Sequence, residues 1–84
     1  MNIEIAITSG EILNFLEEKK VPLSISEVRS RIDEPIELIN MSIGWLLRKN
    51  YVRVIRGNEK YLSLVPEGET NGVILRKNEL AATN

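Results

Sequence analysis

Apolar residues recur with two different periods along this chain of 84 residues, and the changes of period divide it into elements. Ile3, Ile5 and Ile7 alternate with smaller or polar neighbours, the rhythm of a half-buried strand, which predicts one over residues 2–8. Thr8-Ser9-Gly10-Glu11 then reads as a capping box, in which the Thr8 hydroxyl accepts from the Glu11 amide and the Glu11 carboxylate reaches back. Ile7 and Ile12 stand at the staple positions on either side. The helix predicted from there runs from Ser9 to Lys20, with Ile12, Leu13, Phe15 and Leu16 on one face and Glu11, Asn14, Glu17 and Glu18 on the other.

Pro22 disfavours helical geometry at Val21, so Val21-Pro22-Leu23 reads as an extended link. Ser24-Ile25-Ser26-Glu27 is a second capping box, stapled by Leu23 and Val28, and opens a helix to Ile32 that buries Ile25, Val28 and Ile32. Asp33-Glu34-Pro35 is a turn, and Pro35 suits the first position of a third helix, where no amide donor is needed. That helix extends to Lys49, and Asn50 is placed to end it in the left-handed conformation. Tyr51–Arg56 and Lys60–Val65 are β-rich, with Gly57-Asn58 as a two-residue hairpin turn in which glycine supplies a positive φ. The predicted fold class is α+β: a three-helix winged helix-turn-helix with a C-terminal β-hairpin wing. Residues 1–66 form that domain, and 67–84 form a C-terminal tail, partly disordered or dimerising.

Composition narrows the chemistry. There is no cysteine and no histidine, which excludes disulfides, thiolate chemistry and the commonest general base and metal ligand. Glu17-Glu18 and Asp33-Glu34 are paired carboxylates without a partner base, and Gly10 and Gly44 form no phosphate loop. The chain does not read as an enzyme, and no cofactor or metal is expected. Its longest apolar runs are three residues, such as Val73-Ile74-Leu75, far below the ~20 a membrane span needs. The start Met1-Asn2-Ile3-Glu4 lacks the basic and apolar regions of a signal peptide, so a cytoplasmic location is expected.

The net charge of −1 is unevenly spread. Residues 1–45 carry eight acids against four bases, whereas 46–65 carry five bases (Arg48, Lys49, Arg53, Arg56, Lys60) against Glu59 alone. Such asymmetry points to an anionic partner. On the third helix, Ile36, Ile39, Ile43, Leu46 and Leu47 share one arc, which Trp45, Leu38 and Ser42 widen. Glu37, Asn40, Met41, Gly44 and Arg48 fill the remaining sector and would face the bases if the helix entered a major groove. Arg48 suits guanine and Asn40 adenine, while Glu37 repels phosphate and Met41 and Gly44 offer no polar contact. The alternative is that this helix is core with a small solvated face. Arg53, Arg56 and Lys60 flank the hairpin tip and suit a phosphate backbone or a minor groove, unless they only guard an edge strand against aggregation. Arg29 and Arg31 on the second helix add possible phosphate contacts or a solvated face. Tyr51, Tyr61 and Trp45 read as core or as a stacking surface for single strands, with Trp45 under the hairpin.

Two segments carry a resemblance. Ile7-Thr8-Ser9-Gly10-Glu11-Ile12 and Ser42-Ile43-Gly44-Trp45-Leu46-Leu47-Arg48, the latter followed by a hairpin, resemble a family of short prokaryotic winged helix-turn-helix proteins. The resemblance covers residues 5–65 and implies the fold and, by analogy, a regulatory role. Leu47 and Lys49 depart from the alanine and acid of that pattern and make the local surface more basic.

Two functions follow. The first is a DNA-binding transcriptional regulator that holds double-stranded DNA weakly through Arg53, Arg56 and Lys60, with Arg48 and Asn40 reading bases. The second is a protein-interaction module on the same scaffold, its partner meeting Met41, Gly44 and the acidic start of the third helix. Ile3-Ile5-Ile7 and Val73-Ile74-Leu75 are expected to pair with each other or with a second copy, making a homodimer.

Overall fold

The computed structural model describes residues 2–66. Three helices, α1 (Ile3–Lys19), α2 (Ile25–Arg31) and α3 (Ile36–Arg48), pack on a sheet of β1 (Leu23–Ser24), β2 (Val52–Arg56) and β3 (Lys60–Leu64). The sheet is antiparallel throughout with order β1-β3-β2, so the last strand among the described residues is the central one. This is the expected α+β winged helix-turn-helix, with two helices joined by a short turn and followed by a hairpin wing.

The N-terminal segment departs from the alternation of its isoleucines. Residues 3–8 are helical, not a strand, and α1 begins six residues before the predicted Ser9 start. Asn2 is the cap: its Oδ1 accepts from the Glu4 amide at 2.7 Å and the Ile5 amide at 3.3 Å. A lone strand has no neighbour for its backbone groups, whereas a helix satisfies its own. The helical spacing also buries Ala6, Ser9, Leu13 and Leu16 together on the side facing the core. Ile3 and Ile7, one turn apart, are left 63% and 56% exposed. Thr8 and Ser9 are buried within the helix, so the first capping box is not one. The predicted pairing of an Ile3-Ile5-Ile7 strand therefore has no strand to pair, and Val73-Ile74-Leu75 lies outside the described residues.

At the second predicted capping box, Ser24 caps α2 as read. The Ser24 hydroxyl accepts from the Glu27 amide at 3.0 Å, with Leu23 and Val28 buried beside it. Leu23-Ser24 also pairs with Leu62-Tyr61 as a third strand, an element hidden in the predicted link because two residues carry no period. Pro35 caps α3 one position before its expected place, without a side-chain hydrogen bond. Asn50 closes α3 with φ 64°, as expected. The Asn50 amide donates to Leu47 O at 3.1 Å and the Tyr51 amide to Leu46 O at 3.0 Å, the two bonds of a Schellman motif.

The core lies where α1, α2 and α3 meet the sheet, through Ile12, Leu13, Leu16, Val28, Ile39, Ile43, Leu46, Tyr51, Val52 and Leu62. Ile36, predicted on the buried arc of α3, is 53% exposed at the first position of the helix, ahead of buried Leu38 and Ile39.

Candidate nucleic-acid interface and the outer face of α3

The wing is built from the pairing of β2 with β3, in register from Val52↔Leu64 to Arg56↔Lys60. Directly paired residues share a face, so Val52, Val54 and Arg56 lie with Leu64, Leu62 and Lys60, while Arg53 and Ile55 lie with Ser63 and Tyr61 on the other. Arg56 and Lys60 are thus brought together at the tip, and Arg53 is placed on the opposite face. All three are exposed.

The tip is a three-residue loop, Gly57-Asn58-Glu59, not the predicted two-residue turn, and it closes with the Gly57 amide donating to Glu59 O at 2.9 Å. Gly57 is not in the left-handed region. A Cβ there would stand 3.3 Å from the Tyr61 ring, a tight contact to which the ring would have to yield slightly. The Tyr61 hydroxyl donates to Asn58 Oδ1 at 2.8 Å and pins the loop from within. From outside, the Ser26 hydroxyl donates to Glu59 Oε1 at 3.1 Å and ties the loop to the start of α2. These two bonds tether the loop to β3 and to the start of α2.

The other predicted contacts are less available. Asn40 Oδ1 accepts from both Arg29 Nε at 3.0 Å and Arg29 Nη2 at 2.9 Å, a clamp between α2 and α3. Pairing with adenine needs that oxygen, so Asn40 must leave Arg29 to read a base. Arg31 lies over the Phe15 ring, 6.0 Å from its centroid, with Lys19 also over the ring at 5.8 Å. Tyr51 is buried, its ring 5.7 Å from that of half-buried Trp45, and Tyr61 is occupied by Asn58, so the three aromatics form no common stacking surface.

Arg48 borders a feature that sequence reasoning missed. An open groove of about 410 Å³ is lined by Ile5 of α1 and by Asn40, Met41, Gly44, Trp45 and Arg48 of α3. Met41 is 53% exposed within it, and no atom lies within 4 Å of where a Gly44 Cβ would be. The outer sector of α3 was legible from its period. Its continuation onto Ile5 was not, because residue 5 was assigned to a strand.

No helix among the described residues is long and apolar enough to cross a membrane. A family model described as a winged helix-turn-helix domain, DUF2582, matches residues 1–64. No curated protein and no solved structure matches the chain.

Proposed function

Because the chain belongs to the DUF2582 winged helix-turn-helix family, we propose that it is a DNA-binding regulator that holds the phosphate backbone of double-stranded DNA through its wing. The observation that carries this reading is the Arg56↔Lys60 pair. Like charges directly opposite across a sheet repel, and an anion between them relieves the repulsion. A phosphate is such an anion, and Arg53 on the other face of the same strand adds a second contact. The anchored loop favours binding because the tip needs little ordering on contact. Asn40 is committed to Arg29 and Arg48 borders the apolar groove, so the proposal rests on the wing and predicts little base selectivity.

Binding to a labelled mixed-sequence duplex at low salt tests it, beside a variant with Arg53, Arg56 and Lys60 all changed to alanine. The expected result is weak binding in the parent chain, a log–log salt slope of about −0.9 per neutralised phosphate, and loss in the variant. Absence of binding at low salt, or binding indifferent to the three changes, overturns it.

A second reading, a protein-interaction module on this scaffold, is favoured by one observation: the sector of α3 that would enter a major groove is partly apolar and contains Glu37.

A further inference from the structure

Four residues follow one another along the outer face of α3 at spacings of four, three and four: Glu37, Met41, Gly44 and Arg48. At about 100° per residue they fall within a stripe narrower than a quarter turn. Glu37, Met41 and Arg48 are exposed, and Gly44 leaves open space beside the helix backbone. The stripe has an acid at one end, a base at the other, and a protruding apolar side chain beside a flat spot in the middle.

That order is self-complementary. Two helices placed antiparallel about a two-fold axis through the centre of the stripe bring Glu37 of each copy to Arg48 of the other. The same operation brings Met41 of each onto the flat left by Gly44 of the other. Equal four-residue spacings at both ends make both matches occur in one register. A two-fold interface requires a patch that complements itself, and this one does so in charge and in shape. Exposed Met41 beside half-buried Ile5 and Trp45, bordered by Asn40 and Arg48, gives such a contact an apolar centre and a polar rim.

We propose that the outer face of α3 is a dimer interface, occupied by the same face of a second copy of this chain. Dimerisation through this face keeps α3 out of a major groove and leaves the wings free. It is independent of whether the wings bind DNA.

Sedimentation equilibrium of the full chain over a wide concentration range tests the proposal. The parent chain is expected to form a dimer. Glu37→Arg and Arg48→Glu are each expected to weaken it about tenfold or more, since each turns two attractive pairs into repulsive ones. An equimolar mixture of the two variants restores association as a heterodimer, and the double variant Glu37→Arg/Arg48→Glu restores the homodimer. Gly44→Gln, whose Cβ meets nothing within 4 Å in the monomer, abolishes association while circular dichroism shows an unchanged fold. A parent chain that stays monomeric at every concentration overturns the proposal, as does a mixture that fails to restore association. Dimers that persist undiminished in the single variants overturn it as well. Dimers lost when Val73, Ile74 and Leu75 are changed to serine also overturn it, and assign association to the tail.

Discussion

Arg56 and Lys60 face one another across the last rung of the wing, where Arg56 ends β2 and Lys60 begins β3. A directly opposed pair of like charges destabilises a hairpin by about 0.2–1 kcal/mol. Stability and binding therefore pull in opposite directions at this rung. Lys60→Glu is expected to raise the thermal midpoint slightly and to lower affinity for a mixed-sequence duplex. Thermal unfolding and fluorescence anisotropy on the same samples check it, and a variant that loses both stability and affinity contradicts the reading.

Ser9 is fully buried in α1, and its hydroxyl has no hydrogen-bond partner among the described residues. A buried unsatisfied hydroxyl costs about 1–3 kcal/mol, and alanine is the better helix former. Ser9→Ala is expected to stabilise the domain by about 1 kcal/mol, a rise of about 4–8 °C in a domain of this size. Ser42 is the control, because it is equally buried but donates to Leu38 O at 2.8 Å. Ser42→Ala should give no comparable gain in the same melting experiment.

Lys20 ends α1 with φ 62° and ψ 18°, in the left-handed region, while its amide donates to Leu16 O. A side chain there costs about 1–2 kcal/mol relative to glycine. Lys20→Gly is expected to stabilise by about 1 kcal/mol in urea unfolding. The same change at Asn50, with φ 64°, should gain less, since asparagine tolerates that conformation. Equal gains at the two positions would refute this account.

Asn2 caps the helix that carries Ile5 to the groove on α3. Asn2→Ala is expected to cost about 0.5–2 kcal/mol of helix stability and to fray the first turn. Amide hydrogen exchange should quicken at Ala6, whose amide bonds to Asn2 O, and stay unchanged at Leu13.

The parts of the fold that were legible from sequence were those fixed by local chemistry. Ser24 caps α2, Asn50 ends α3 in the left-handed region, and the β-rich runs pair on either side of Gly57, because each of these depends on a few adjacent residues. Ile3, Ile5 and Ile7 misled because their alternation matches a strand, whereas in the helix Ile3 and Ile7 turn to the exposed side. What decided between them, the packing of α1 against α3, is tertiary. The basic wing residues were also legible, since charge at a hairpin tip needs only the hairpin. Which of them share a face was not, because a turn of two residues or three changes the register, and only the longer loop sets Arg56 opposite Lys60. The clamp of Arg29 on Asn40 depends on how α2 crosses α3, and no single-helix pattern contains it.

The strand order β1-β3-β2 has a consequence for how the chain is made. Synthesis delivers α1, β1, α2, α3 and β2 before the strand that joins the two halves of the sheet. Until residues 60–64 leave the ribosome, Leu23 and Val54 both lack Leu62, their shared neighbour in the finished sheet. The nascent domain thus holds two unpaired edges, and closure of the sheet waits on β3. A chain stopped at residue 59 loses both pairings of the sheet at once.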